Sequence, residues 1–125
     1  MASQRQTNED IRLVKYYLIY PVILDVLQRN IEQIKSGNWK LPDVFTTHLK
    51  LIQKKVNKEY FELRQEMRSR GIKVFEEKRD QKGISAKYLC RGYRYEMSLL
   101  WMLVKSETRI KLANMFGFDI GEIDQ

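Results

Sequence analysis

Residues 71–101, GIKVFEEKRDQKGISAKYLCRGYRYEMSLLW, are where the chain changes its period. Ile72 and Val74 alternate with Lys73 and Phe75. Beyond a polar segment, Ile84, Ala86, Tyr88 and Cys90 alternate with Ser85, Lys87, Leu89 and Arg91. Successive side chains of a strand point to opposite faces, so a period of two on both sides of an Asp-Gln-Lys-Gly turn predicts a β-hairpin over 72–91. A lone hairpin is marginal in water, so its apolar face must rest on helices.

Helical spacing surrounds this hairpin. Upstream, Phe45, Leu49, Ile52, Val56, Tyr60, Leu63 and Met67 recur at steps of three or four, one face of a helix that Gly71 ends. Lys50, Lys54 and Lys58 form a row on another face. Near the N-terminus, Thr7 and Asp10 have the spacing of a capping box, which places a helix start near Asn8. Ile11, Val14 and Leu18, then Ile23, Leu27, Ile31 and Ile34, carry an apolar face toward a stop at Lys35-Ser36-Gly37. Pro21 disfavours helical geometry at Tyr20, which is compatible with one kinked helix or with two short ones. Trp39 and Leu41, in the connector, are expected against the core. After the hairpin, Tyr93 or Arg94 is expected to begin a last helix running to about Phe116, with Gly117 as its cap.

That last helix reads as apolar on two sides, with Met97, Leu100, Trp101, Val104, Leu112 and Met115 on one and Leu99, Leu103 and Ile110 on the other. So wide a surface predicts self-association through Leu99, Leu103 and Ile110, as in a homodimer. The expected fold is α+β and mainly helical, in the order α-α-β-β-α, with a two-stranded antiparallel hairpin packed on helices. Residues 8–118 are expected to form a single compact domain, between a flexible tail at 1–7 and a loose acidic tail at 119–125.

Composition narrows the class. At 125 residues and 43% hydrophobic, the chain can bury a core without disulfides and does not read as disordered. One cysteine and a polar start, MASQRQTNED, point to a reducing cytoplasm, and no apolar run is long enough to span a bilayer. The net charge of +7 is unevenly placed. Residues 1–40 hold six Lys/Arg and four Asp/Glu, residues 41–95 fourteen and seven, and residues 96–125 three and five. An excess confined to the middle block makes a directional field that favours an anionic partner; the plainer reading is a soluble, basic surface.

Catalytic signals are nearly absent. His48 and Cys90 are single, and neither a zinc ligand set nor a glycine-rich phosphate loop can be assembled. Cys90 is expected to be a small buried hydrophobe on a strand. Pro42-Asp43 followed by Glu76-Glu77-Lys78 matches the letters of a metal-dependent nuclease signature. That chemistry needs the carboxylates on adjacent strands around Mg²⁺, whereas Asp43 reads as a helix start, where it complements the macrodipole. No catalytic residue, metal or cofactor is expected, and the chain reads as a non-enzyme.

The basic residues are the main functional clue. Lys50, Lys54, Lys55 and Lys58 lie on the middle helix, Arg79 and Lys82 at the hairpin tip, and Lys87, Arg91 and Arg94 on its return among Tyr88, Tyr93 and Tyr95. A helix followed by a basic hairpin resembles the recognition-helix-and-wing layout of winged-helix DNA-binding proteins over residues 45–91. That resemblance implies a helix in the major groove and a wing on the backbone or minor groove. YPVILDVL, the Lys-rich helix, GIKVFEEKRD and YLCRGYRYEM resemble small proteins of Firmicute bacteria and their phages or mobile elements, a resemblance that implies no activity. Two readings follow. In one the protein binds DNA or RNA, in a regulatory role, through helix 45–70 and the hairpin. In the other it is an interaction module (adaptor, inhibitor or small homodimer) with an acidic protein partner and no nucleic acid.

Overall fold

The structure, a computed structural model, describes residues 5–124. The first helix, α1 (Asn8–Ser36), opens on the Thr7 capping box. Asp10 N donates to Thr7 Oγ1 at 3.1 Å and Thr7 N donates to Asp10 Oδ2 at 2.8 Å. Of the two arrangements open at Pro21, the chain adopts one continuous helix. Pro21 removes one backbone donor, but Leu18, Ile19, Tyr20 and Ile23 around it are all buried, and their contacts hold the helix together.

Leu41, in the left-handed region at φ 52°, turns the chain into α2 (Pro42–Ser69), with Pro42 in the first turn, where a missing N–H costs nothing. Ile52, Val56, Leu63 and Met67 of α2 are buried in the same core cluster as α1. The N-terminal end of the stripe is not: Phe45 is 47% exposed. Trp39 and Leu41, expected against the core, are 50% and 70% exposed, because the connector lies beyond the end of the helical pair. Gly71, at φ 72°, ends α2 and starts the sheet.

The sheet has three strands rather than two. β1 (Ile72–Arg79), β2 (Gly83–Cys90) and β3 (Tyr93–Leu100) form an antiparallel sheet in the order β1-β2-β3, so the element order is α-α-β-β-β-α. Residues 93–100, expected to begin the last helix, are a strand, and α3 runs only over Trp101–Phe116. Two causes account for the difference. Arg91 and Gly92 both have positive φ, 49° and 89°, as the two-residue turn of a tight hairpin requires, but Arg-Gly is not the Asn-Gly or Asp-Gly pair that announces it. Tyr93–Leu100 also reads equally well at either period. In the structure Tyr95, Met97 and Leu99 pair with Tyr88, Ala86 and Ile84 across the helix-facing side.

The remaining turn is firmly held. Asp80 Oδ1 accepts from Lys82 N (2.8 Å) and Gly83 N (3.1 Å). Trp101 Nε1 donates to Asp80 O at 2.7 Å, and Trp101 N donates to Lys82 O at 3.1 Å. The hairpin tip is therefore tied to the start of α3. Gly83 is required there, since a Cβ at this position would fall 1.8 Å from Leu99 O. The core lies between the three helices and the inner sheet face, where Ile84, Ala86, Tyr88 and Cys90 are buried in one cluster with Leu13, Val14 and Val104. Cys90 is wholly buried, as its place on that face predicts. After α3 a 3-10 turn spans Ile120–Asp124. No described helix is long and apolar enough to cross a membrane.

Candidate functional site

The surface divides into charges that the fold has paired and charges that it has left open. Asp10 is completely buried. Its Oδ2 accepts from Arg91 Nη2 at 2.6 Å and its Oδ1 from Arg70 Nη1 at 3.2 Å, and the Cys90 thiol lies 3.7 Å away. Burial pushes the carboxyl up, but the Arg91, Thr7 and Arg70 hydrogen bonds outweigh it and hold the group well below the usual carboxylate range. Arg91 also donates to Arg70 O at 2.8 Å and to Arg5 O at 2.9 Å. The cluster clamps the start of α1, the end of α2 and the β2–β3 turn together.

α2 carries two exposed stripes of opposite character. Lys50, Lys54, Asn57, Phe61, Arg64 and Arg68 follow one another at steps of four, three, four, three and four, and all six are exposed. Lys58 flanks this stripe beside Lys54 and Phe61. Lys55, Glu59, Glu62 and Glu66 make the second stripe at steps of four, three and four. Two of its three carboxylates are paired: Glu59 accepts from Lys111 at 2.7 Å and from Tyr20 at 3.0 Å, and Glu66 pairs with Arg70 at 3.4 Å. Among the described residues, no cation of the first stripe makes a salt bridge. At 1.5 Å per residue the open stripe is about 27 Å long, with an aromatic ring, Phe61, in its middle.

The C-terminal end of that stripe borders a groove of about 470 Å³ between α2 and β1, lined by Tyr17, Arg64, Met67, Arg68, Gly71, Ile72, Lys73 and Val74. The Arg64 guanidinium lies over the Tyr60 ring at 4.5 Å, and Tyr60 meets Tyr17 at 5.9 Å. Lys73 also belongs to the outer face of the sheet, with Lys78, Lys87 and Arg94. Basic character thus passes from α2 through the groove to Lys73 at the sheet edge, and onward to an outer face of mixed charge, where Glu76 and Glu96 flank Lys87.

The expected site residues separate accordingly. Lys50, Lys54 and Lys58 lie on or beside the open stripe, whereas Lys55 lies with the glutamates. Arg79 ends β1 and Lys82 is exposed in the adjoining turn. Lys87 is 3.5 Å from Glu76, and Arg94 sits over the Phe75 ring at 5.1 Å. Arg91 is spent in the Asp10 clamp. Arg64, Arg68 and Lys73 were missed, although the spacing from Lys50 onward contains the first two. Lys73 depends on how the sheet meets the helix.

Elsewhere, Asp43 opens α2 while Glu76 and Lys78 lie on β1, so the nuclease letters are split between a helix start and a strand. No group of three or more His, Cys, Asp or Glu among the described residues could hold a metal ion. His48 lines an apolar pocket of about 360 Å³ with Trp39, Phe45, Leu112 and Phe116. Leu99, expected at a self-association surface, is 6% exposed on β3 and belongs to the core, because its segment is a strand facing the helices. Leu103 and Ile110 are 40% and 38% exposed on α3.

Comparison with curated proteins and with solved structures gives no match. A protein-family model described as "YhjD protein" matches residues 5–119. That span takes in all three helices and all three strands, and the chain belongs to the YhjD protein family.

Proposed function

We propose that the protein binds nucleic acid, in a regulatory role, with the open stripe of α2 and the adjoining basic sheet face as its contact surface. The observation that carries this reading is the segregation of charge on α2. Five cations, Lys50, Lys54, Lys58, Arg64 and Arg68, share one side and make no salt bridge among the described residues, while the glutamates take the other. A row of unpaired cations releases condensed counterions when it meets a phosphate backbone, and an exposed ring among them suits a base or sugar. No enzymatic activity, metal or cofactor enters the proposal. The lysine-rich half of the stripe would contact phosphates without reading sequence. The winged-helix layout supports the reading only in that a helix and a hairpin lie close together, since α2 is 28 residues long and the hairpin continues into β3. The reading assumes the cytoplasmic setting and the Firmicute, phage or mobile-element origin expected from the sequence.

Fluorescence anisotropy with a labelled random-sequence duplex and a single strand at low ionic strength tests it. Wild-type protein is expected to bind with a salt-dependent affinity. Lys54→Glu with Lys58→Glu should weaken binding to all sequences alike and lower the slope of log K against log salt by about one per lost phosphate contact. Absence of salt-sensitive binding to either probe would sink the proposal.

The second reading, an interaction module, is favoured by exposed apolar side chains: Trp39, Leu41 and Phe45 at the helical connector, and Met102, Leu103 and Ile110 on α3. It predicts a dimeric mass by light scattering or capture of an acidic protein partner, with self-association reduced by Leu103→Lys and Ile110→Lys.

A further inference from the structure

The groove between α2 and β1 joins cations at its rim to a floor of apolar groups, and at about 470 Å³ it is larger than the concavity of about 140 Å³ on the sheet, which Glu76 and Glu96 line beside Lys78 and Lys87. Met67 and Ile72 are nearly fully buried in its floor, Val74 and the Tyr17 ring are half-buried, and Arg64, Arg68 and Lys73 are exposed along its rim. Resting on the nucleic-acid reading above, we propose that this groove holds an unpaired nucleotide, so that the protein prefers single strands to duplexes.

Three features carry the assignment. In a duplex both faces of each base are stacked, and only base edges and phosphates are offered to a protein. A slot that joins an aromatic ring and aliphatic side chains to three cations suits the opposite case, a free base face with its phosphate alongside. The volume of about 470 Å³ accommodates one such group in an open groove. Arg64 is also set in place before any ligand arrives. Its guanidinium is held 4.5 Å over Tyr60, which leans on Tyr17, and among the described residues no salt bridge takes up its N–H donors. A guanidinium fixed against a ring with unspent donors is well suited to phosphate.

The competing occupant is an extended acidic peptide added to the free edge of β1. The ladder is interrupted between Val74 and Glu76, immediately above the groove, and Glu76, Glu77, Lys78 and Arg79 crowd the remainder of the strand with charge. A bulge and a run of charged side chains are the features by which an edge strand resists such pairing. Side chains rather than backbone therefore make the groove, and a nucleotide fits it better.

The test measures anisotropy on a single-stranded DNA of about twelve nucleotides, its duplex, and the same strand with abasic sites in place of its central bases. Binding to the intact strand should exceed binding to the abasic strand and to the duplex by about tenfold or more. Arg64→Gln, at an exposed position, should weaken strand binding by about tenfold and duplex binding by less than about threefold, while the variant still unfolds in one cooperative transition well above the assay temperature. Equal affinity for intact and abasic strands, or an equal loss on strand and duplex, would overturn the proposal while leaving general nucleic-acid binding intact. Displacement of the strand by a nucleoside monophosphate at comparable concentration would give the groove to a free nucleotide, and displacement by poly-glutamate would give it to an acidic protein. Either result overturns the proposal. No salt-sensitive binding to any probe would remove the underlying reading as well.

Discussion

Arg64 and Arg68 lie within two turns of Arg70, yet the fold uses them in opposite ways. Arg70 and Arg91 converge on the buried Asp10, one from the end of α2 and one from the β2–β3 turn. Arg64 and Arg68 make no salt bridge among the described residues, and both border an open groove. The difference teaches that a basic residue's role is set by whether tertiary structure brings it an anion. A count of lysines and arginines weighs both pairs alike.

The largest test of this contrast is Asp10→Ala. Removing the carboxylate leaves Arg91 with no carboxylate partner among the described residues and Arg70 with Glu66 alone, and it also breaks the Thr7 capping box; the loss should be about 3–5 kcal/mol in chemical denaturation, a large part of a small domain's stability. A loss comparable to that of an exposed ion pair would show that the clamp is incidental. The same group predicts a pH dependence. The folded carboxyl is held below its unfolded value of about 3.9, so its contribution is fully present above that value and is lost as pH falls through the folded pKa. Wild-type stability should fall more steeply than that of Asp10→Asn on acidification below about pH 4. Parallel curves would contradict the ion pairing.

Arg91 allows the clamp to be separated from the turn. Arg91→Ala loses the hydrogen bonds and keeps an unfavourable φ of 49°, whereas Arg91→Gly loses the same bonds and relieves the backbone. The glycine variant should be the more stable of the two by about 1–2 kcal/mol. Equal melting temperatures would mean that the left-handed turn stores no strain.

Cys90→Ala should cost about 1 kcal/mol, since a small side chain leaves a small void beside Asp10. Burial pushes the thiol pKa up, and native protein should resist thiol reagents until it unfolds; rapid labelling would contradict its complete burial. The smallest effect is expected at the open pair. Arg64→Ala with Arg68→Ala should change stability by no more than about 0.5 kcal/mol. A larger loss would mean that these two arginines are structural after all.

Much of the helical architecture was legible before the structure. The Thr7/Asp10 spacing marked the start of α1, the three-four periodicity carried α2 through to Met67, and alternation along Ile84–Cys90 identified the buried face of β2. β3 was not legible, because Tyr93–Leu100 suits either period and its turn depends on an Arg91–Gly92 pair held left-handed by bonds from distant residues. The candidate surface was half legible. Lys50, Lys54 and Lys58 announce themselves by spacing alone, while the removal of Arg91 and the recruitment of Tyr17 and Lys73 require knowing where three separate elements meet.

By itself, then, the sequence determined what depends on neighbours along the chain: the start of α1, the stops at Gly37, Gly71 and Gly117, the faces that α1 and α2 bury, and the positive excess of the middle block. Tertiary structure alone decided which charges neutralise one another and which remain for a partner. Periodicity is a local property of dihedral angles and side-chain direction, so it can be read from spacing. Charge pairing acts over a few ångströms between residues that are 60 and 81 positions apart in the case of Asp10, and only the folded chain brings them within reach.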